Sequence, residues 1–366
     1  MQSRIISVLV TVLSLSVLRA ADPAKKYNVL FIISDDLTST ALSCYGNKIC
    51  KTPNIDAIAA QGTRFTRAYC QGTYCGPSRA SFMSGYYPHA TGVLGYKSPR
   101  PQIGDRATWS QYFMNHGYHA ARVSKIYHMG VPGGIEQGGH GADDAASWHE
   151  RYNSPGPEWR ARGKGETLQG NPDGKRPVVG GNTFVVVEAE GDDLVHSDGK
   201  TAVKAAELIG KFSKQEKPFF LGVGFVRPHV PFVAPKKYYE PFLPYSKMKL
   251  PPKIEGDWDD IPKPGINYCT SLNMKMDIRK QKKAVGGYYA SVAFVDAQVG
   301  KVMAALKASG QEDNTIVIFT SDHGFHLGEH DFWAKVSLLD ESSQVPLIIS
   351  VPGKQPAVCH SLTELL

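Results

Sequence analysis

The hydrophobic pattern of the chain contains short, almost continuously apolar runs separated by longer segments with helical spacing. Four runs bounded by polar residues predict strands that are buried on both faces, at residues 27–34, 218–225, 314–321 and 346–351. Apolar spacing and capping residues predict helices over residues 52–62, 109–116, 201–214 and 284–309. Strands buried on both faces are typical of α/β sheets, so we predict an α/β fold.

Two of the predicted strands are followed by side chains of the types that bind metal ions in proteins. Asp35 and Asp36 follow the first strand, and Asp322 and His323 follow the third. Ligands bind at the carboxyl edge of open α/β sheets, and adjacent carboxylates repel each other unless a cation holds them. Oxygen ligands suit Ca²⁺ or Mg²⁺. We therefore predict one cation between the two strand ends; an acidic turn that caps a helix is the alternative for Asp35 and Asp36.

The stretch over residues 70–85, CQGTYCGPSRASFMSG, combines a nucleophile with a predicted helix start. Pro77 suits the first position of a helix, which puts Cys75 at the positive end of the helix dipole. Arg79 lies one turn further along the same face. A cysteine, free N–H groups and an arginine at one point suit a tetrahedral oxyanion such as sulfate or phosphate. The alternative is an ordinary buried cysteine at a helix start.

Three further residues are candidates by position. Lys125 and His128 are three residues apart and can face the same way, although such a pair is common on surfaces. His229 follows the second predicted strand, between two prolines that fix the local backbone. Residues 130–181 are rich in Gly, Pro, Asp and Arg and predict a long irregular excursion, a type of segment that often forms a functional rim.

A rival metal motif occurs near the end of the chain. His326, Glu329 and His330 match H-x-x-E-H, the inverted zinc-protease motif. That motif requires a stable helix to aim both histidines, and Gly324 and Gly328 disfavour one. We therefore favour the oxygen-rich cation site over a zinc site.

The N-terminus predicts secretion. Residues 1–21 contain Arg4, an apolar run over residues 5–18 and small residues at the end, the pattern of a signal peptide. The run is shorter than the roughly 20 residues that span a bilayer, so we predict no stable membrane insertion, with an uncleaved anchor as the alternative. No Asn-x-Ser/Thr sequon occurs. We expect a secreted or periplasmic protein, or a lysosomal one in a eukaryote.

Charge and cysteine usage exclude several classes. The net charge of +7 over 366 residues has no concentrated basic block, so we predict no nucleic-acid partner. A polyanionic substrate fits this charge, but solvated lysines explain it equally well. The six cysteines form no paired pattern, so the chain is not a disulfide scaffold. A bridge between Cys44 and Cys50 stays open at this point.

Six stretches in the expected order resemble the sulfatases of the alkaline-phosphatase superfamily, and among them the iduronate-2-sulfatase type. They are residues 28–36, 52–56, 70–85, 124–128, 227–231 and 321–335. The resemblance implies a large mixed, mostly parallel sheet flanked by helices on both faces, with residues 22–366 as the catalytic N-terminal domain. Family members continue into a smaller C-terminal subdomain, so we expect a fragment or a truncated paralogue.

The resemblance also implies a modified cysteine and a metal. A formylglycine-generating maturation enzyme would convert Cys75 to Cα-formylglycine, whose hydrate is the family's nucleophile. One Ca²⁺ would be bound by an oxygen of the modified Cys75 and by four further side chains: Asp35, Asp36, Asp322 and His323. Histidine at the last of these positions is typical of the iduronate-2-sulfatase type.

The remaining family roles transfer to five positions. Arg79 and Lys125 would hold the formylglycine and balance charge. His128 would accept a proton so that sulfate can leave. His229 and Lys335 would bind sulfate oxygens, and one of them would protonate the leaving group.

Together these features predict a hydrolase that removes sulfate from a sulfated saccharide. A phosphoester or phosphonate hydrolase of the same superfamily is one alternative, because phosphate is also tetrahedral. An inactive, truncated homologue that only binds sulfated glycans is another.

Overall fold

The structure is a computed structural model that describes residues 26–170 and 183–366. The predicted signal peptide, residues 1–21, lies outside the described residues, and the predicted domain boundaries stay predictions. Within the described part, every helix is too short or too polar to cross a membrane. Cys44 and Cys50 both carry free thiols, so the structure contains no bridge between them.

The strands and helices occur in an interleaved order along the chain. The strands are β1 (Asn28–Asp35), β2 (Thr63–Tyr69), β3 (His119–Ser124), β4 (Glu150–Tyr152), β5 (Gly163–Thr167), β6 (Val185–Ala189), β7 (Phe219–Pro228), β8 (Phe232–Pro235), β9 (Thr315–Ser321), β10 (His326–Leu327), β11 (Trp333–Ala334), β12 (Gln344–Ser350), β13 (Ala357–Cys359) and β14 (Thr363–Glu364). The helices are α1 (Pro53–Gln61), α2 (Cys75–Ser84), α3 (Pro88–Thr91), α4 (Arg100–Ile103), α5 (Trp109–Asn115), α6 (Gly133–Gln137), α7 (Ser197–Phe212), α8 (Ile278–Ala308) and α9 (Asp340–Ser343).

One 9-stranded sheet forms the centre of the fold. Its order is β13-β2-β12-β9-β1-β7-β3-β4, with β14 also paired to β2. Strand β12 runs antiparallel to β2 and β9, and the other pairings are parallel. A smaller sheet contains β5, β6 and β8. The prediction of a large mixed, mostly parallel sheet is therefore confirmed.

Strand β1 is buried along its whole length because helices cover both faces of the sheet. Leu30 and Ile32 pack into the core that α7 and α8 close. Val29, Phe31 and Ile33 point to the opposite face and pack into the core that α2 closes. This alternation follows from the two-residue period of a strand, and it explains why the sequence of β1 is continuously apolar.

The predicted elements are present with shifted boundaries. Helix α2 begins at Cys75, so Pro77 lies within the first turn and is not the first helical residue. The missing N–H of Pro77 is equally harmless at this position in the first turn. Helix α8 begins at Ile278 because the Asp277 side chain accepts the backbone N–H of Lys280. The predicted irregular excursion was wrong in part, since it contains α6, β4 and β5.

Close packing between β7 and the end of β3 fixes the backbone of Lys125. Gly224 pairs with Ser124, and its carbonyl accepts the N–H of Lys125 at 3.2 Å. A Cβ atom on Gly224 would clash with the carbonyl oxygen and carbon of Lys125. The absence of a side chain at residue 224 therefore allows Lys125 to approach the sheet edge.

We expect the substitution Gly224→Ala to lower the free energy of unfolding by about 1–3 kcal/mol, because the new methyl group must displace the Lys125 backbone. Gly210→Ala in α7 is the matched control, because its Cβ would meet open space among the described residues. That control should leave stability unchanged or raise it by up to about 1 kcal/mol. Urea denaturation measures both; equal stability of the two variants would contradict the prediction.

Candidate active site

The carboxyl ends of β1 and β9 bring the predicted metal ligands together. The two strands pair in parallel with Ser34 opposite Ser321, so the residues that follow them meet at one sheet edge. The backbone N–H of Asp36 donates to an oxygen of Asp322 at 3.1 Å. The four predicted ligands on these strand ends are all fully buried: Asp35, Asp36, Asp322 and His323.

Helix α2 delivers Cys75 to the same point. The Cys75 sulfur lies 3.4 Å from Asp35 Oδ1 and 3.4 Å from His323 Nε2. One ligand atom from each of five residues lies within 4.8 Å of the others, namely Asp35, Asp36, Cys75, Asp322 and His323. Burial, followed by the Asp35 carboxylate, raises the pKa of the Cys75 thiol well above its usual value. Burial therefore disfavours the thiolate, which is the nucleophilic form of a cysteine.

Three cations neutralise the carboxylates. Arg79 donates from Nε to Asp322 at 2.9 Å and from Nη2 to Asp35 at 3.1 Å. Lys125 pairs with the other oxygen of Asp35. The Lys335 ammonium lies 2.6 Å from Asp36 Oδ1 and 3.4 Å from the Cys75 sulfur. Arg79, Lys125 and Lys335 are themselves buried, so these ion pairs are shielded from water.

The network leaves Asp36 short of positive charge. Burial raises the pKa of Asp35, but Lys125, His229 and Arg79 outweigh it and hold that pKa well below its usual value. At Asp36, burial outweighs Lys335 and His323, and the pKa is raised. The Oδ2 atom of Asp36 is buried and has no hydrogen-bond partner among the described residues.

A divalent cation fits this arrangement. Three carboxylates and one imidazole face one point, and an unpartnered carboxylate oxygen belongs to the set. Oxygen-rich donor sets suit hard cations such as Ca²⁺ or Mg²⁺, whereas structural zinc sites use cysteine and histidine. The residues that could hold the cation are therefore Asp35, Asp36, Asp322 and His323, with an atom of residue 75.

Two histidines lie at the ends of the neighbouring strands. His229 follows β7, is buried, and has its Nε2 3.9 Å from Asp36 Oδ2. Burial, and then Lys335, lower the pKa of His229 well below its usual value. His128 follows β3, and burial and Lys125 lower its pKa to about 2. Both imidazoles are therefore neutral near pH 7, and a neutral imidazole can accept a proton.

The rival zinc-protease interpretation is wrong because the required helix does not form. His326 lies in the short strand β10, and His330 follows Gly328 in a turn where both residues have positive φ. His330 pairs with Asp257 at 3.1 Å. The glycine at 328 adopts a φ of 111°, which a helix cannot accommodate.

The sequence did not reveal the residue that supports the Asp36 turn. Tyr288, in the middle of α8, donates its hydroxyl to the Asp36 carbonyl at 2.7 Å and accepts the N–H of Thr38 at 2.8 Å. Asp36 itself has a φ of 61°, a left-handed conformation that costs free energy in a non-glycine residue. One tyrosine among apolar helix positions carries no signal that would predict this role.

The fold and the site identify the class of protein. It is an α/β protein with a cysteine and a cluster of possible metal ligands at the carboxyl edge of its main sheet. A family model described as Sulfatase matches residues 27–365. The chain belongs to the sulfatase family.

Similar proteins agree with this assignment. The chain is 34% identical over 343 residues to Iduronate 2-sulfatase of Homo sapiens, covering 89% of this chain and 60% of that protein. It is 33% identical over 344 residues to a Sulfatase of Formosa agariphila, covering 90% of this chain and 64% of the relative. The chain thus spans less than two thirds of the length of either protein.

A solved structure shares the fold. The Phosphonate monoester hydrolase from Silicibacter pomeroyi superposes with a TM-score of 0.70 at 22% identity, covering 93% of this chain and 71% of that one. The predicted resemblance to alkaline-phosphatase-like sulfatases is therefore confirmed for family and fold.

We expect Tyr288→Phe to weaken divalent-cation binding by about 10–100-fold, because the Asp36 turn loses the hydroxyl that fixes it. Tyr289→Phe is the matched control, since the Tyr289 hydroxyl accepts from Asn47 and not from the Asp36 turn. Calorimetric titration of chelator-treated protein measures both affinities. Equal affinities for the two variants would show that Tyr288 does not support the site.

Proposed function

We propose that this chain is the catalytic region of a sulfuric-ester hydrolase that removes sulfate from a sulfated sugar. The observation that carries the proposal is the position of Cys75 at the buried start of α2, between a metal-ligand cluster and the ammonium group of Lys335. Membership of the sulfatase family supports the same reaction class.

Two groups complete the site in this proposal. One Ca²⁺, held by Asp35, Asp36, Asp322 and His323, supplies positive charge beside the sulfate oxygens when it is bound. Conversion of Cys75 to Cα-formylglycine by a maturation enzyme supplies a hydrated aldehyde as nucleophile. Such a nucleophile is compatible with a site that keeps the ordinary thiol protonated.

The chain's own cations orient and stabilise the sulfate. Lys335 contacts both Asp36 and the Cys75 sulfur, so its ammonium group can reach an oxyanion bound next to residue 75. Lys125 and His229 face the same point from the ends of β3 and β7. Fixed positive charge in a buried site stabilises the charge that develops on the leaving oxygen. Arg79 anchors the carboxylates, because its donors already bond to Asp35, Asp322 and two carbonyls.

Two proton transfers are assigned to side chains of the chain. With residue 75 as the formylglycine hydrate, the neutral imidazole of His128 would accept the proton of its hydroxyl, and the C–O bond to sulfate would break as the aldehyde re-forms. His229 and Lys335 are the two candidates for protonating the sugar oxygen that departs, and of these Lys335 carries a proton near pH 7. Burial lowers the pKa of Lys335, but Asp36 and Cys75 outweigh burial and raise it well above its usual value. Both groups lie beside Asp36: His229 Nε2 is 3.9 Å from Asp36 Oδ2, and the Lys335 ammonium is 2.6 Å from Asp36 Oδ1.

The substrate class rests on the relatives. Proteins named Iduronate 2-sulfatase from Homo sapiens and Mus musculus are 34% and 35% identical to this chain over most of its described length. That identity supports a sulfated sugar that carries a carboxylate. The net charge of +7 is compatible with an anionic saccharide.

We expect Cys75→Ala to lower kcat on an aryl sulfate by at least about a thousandfold, since the nucleophile is removed, while the melting temperature stays near that of the wild type. Cys70→Ala is the matched control: Cys70 is also buried, its sulfur donates to the carbonyl of Ser342, and it packs in an apolar cluster with Ala68, Val345 and Leu347. The control should retain turnover. Comparable turnover by Cys75→Ala would refute the assignment of the nucleophile.

We expect desulfation of sulfated uronates to be faster than desulfation of sulfated hexosamines or neutral sulfated sugars. Release of inorganic sulfate, measured side by side with release of phosphate from aryl phosphate and phosphonate esters, checks this. Equal rates on neutral sugars would contradict the uronate part only. Faster phosphate release would replace the sulfatase proposal with a phosphoester hydrolase, and binding of sulfated glycans without any turnover would indicate an inactive homologue.

A further inference from the structure

A loop outside the metal-ligand cluster packs against the start of α2. The hydroxyl of Tyr74 donates to the carbonyl of Leu94, and the Tyr74 ring meets the Tyr96 ring edge-on with centroids 6.0 Å apart. A Cβ atom on Gly76 would overlap the carbonyl oxygen of Gly95. The loop over residues 94–96 therefore approaches α2 this closely only because residue 76 has no side chain.

This loop places an aromatic ring on His128. The rings of Tyr96 and His128 are stacked, with centroids 4.1 Å apart and an angle of 21° between their planes. The Nδ1 atom of His128 is buried and finds no hydrogen-bond partner in the part of the chain that the structure describes. A histidine that acts on protons is usually oriented by a hydrogen bond to its other nitrogen. His128 lacks such a hydrogen bond at Nδ1 among the described residues, and the stacked Tyr96 ring is the contact that it has instead.

We propose that Tyr96 is a positioning residue that holds the His128 imidazole in the orientation in which it accepts the proton from residue 75. The catalytic consequence rests on the proposed function, whereas the orientation of the ring does not. The loop over residues 94–96, Tyr74 and Gly76 form the support that keeps Tyr96 in place. Proton transfer depends strongly on geometry, so a loosely held imidazole lowers kcat.

The competing possibility is a direct contact between Tyr96 and the substrate. The Tyr96 side chain is 54% exposed, so a sugar ring could also pack on it. The two roles differ in kinetics. Loss of a positioning residue lowers kcat with KM unchanged, whereas loss of a substrate contact raises KM.

The test compares Tyr96→Leu, which removes the ring, with Tyr96→Phe, which retains it. Tyr112→Leu is the matched control, because Tyr112 is 57% exposed and also packs on a histidine, His116, at 4.3 Å. We expect Tyr96→Leu to lower kcat by about tenfold or more with KM unchanged. Tyr96→Phe and Tyr112→Leu should keep the wild-type kcat. A raised KM with an unchanged kcat, or an equal loss in Tyr112→Leu, overturns the proposal.

A double mutant tests whether Tyr96 acts through His128. In a His128→Ala background, Tyr96→Leu should cause no further loss of kcat, because the ring that Tyr96 orients is gone. The same tenfold loss in both backgrounds would show that Tyr96 acts independently of His128 and would overturn the proposal. Mass spectrometry of residue 75 in each variant ensures that equal amounts of modified protein are compared.

A measurement without turnover separates this proposal from the proposed function. Protein with unmodified Cys75 and ¹³C-labelled histidine gives an NMR signal for His128, which a His128→Gln variant identifies. We expect this signal to show an upfield ring-current shift from the stacked Tyr96 ring. In Tyr96→Leu the shift should be lost and the His128 signal should become an average over several ring orientations, whereas Tyr96→Phe should keep the wild-type signal. If no variant hydrolyses any ester, the proposed function fails, but the NMR signal still shows whether Tyr96 orients the His128 ring. An unchanged signal in Tyr96→Leu overturns the role of Tyr96.

Discussion

The structure depends on the burial of three carboxylates and three cations at one edge of the main sheet. Removing an ion from water costs several kcal/mol, so each buried charge requires its partner in place. Arg79 bonds to Asp35 at the end of β1 and to Asp322 at the end of β9. The start of α2 is therefore tied to both strand ends by one side chain. The register between β1 and β9, the position of α2 and the charge balance of the site therefore depend on one another.

The backbone around this network departs from regular conformations. Non-glycine residues with positive φ occur at Asp36, at Ser124 before Lys125, and at Ala334 and Val336 on either side of Lys335. Each such conformation costs roughly 1–3 kcal/mol and persists only where the surroundings enforce it. Four of the seven non-glycine residues with positive φ in the described part of the chain therefore lie at or next to the charged residues of the network. The apolar packing of β1 on both faces supplies the stable framework that tolerates it.

The parts predicted from sequence are those with a local signal. Continuous apolar runs predicted β1 and β9. Polar residues at their ends predicted a cluster of possible metal ligands, because parallel strands bring their carboxyl ends together. Strand β3 was not predicted, since it contains Arg122, whose charge is neutralised inside the protein by Asp143 at 2.7 Å. Tyr288 and Tyr96 act through contacts with residues far away in the chain. No spacing rule anticipates such contacts. The absence of a helix at His330, by contrast, was predicted from Gly324 and Gly328, because glycine disfavours a helix.

In the proposed function, residue 75 is the chemically modified group in a site that binds a tetrahedral anion. Peptide mass spectrometry across residue 75, in preparations made with and without a formylglycine-generating enzyme, tests it most directly. We expect the aldehyde fraction to rise with the maturation enzyme and sulfate release per molecule to be proportional to that fraction. Full sulfatase turnover by protein in which residue 75 is entirely an unmodified thiol would contradict it.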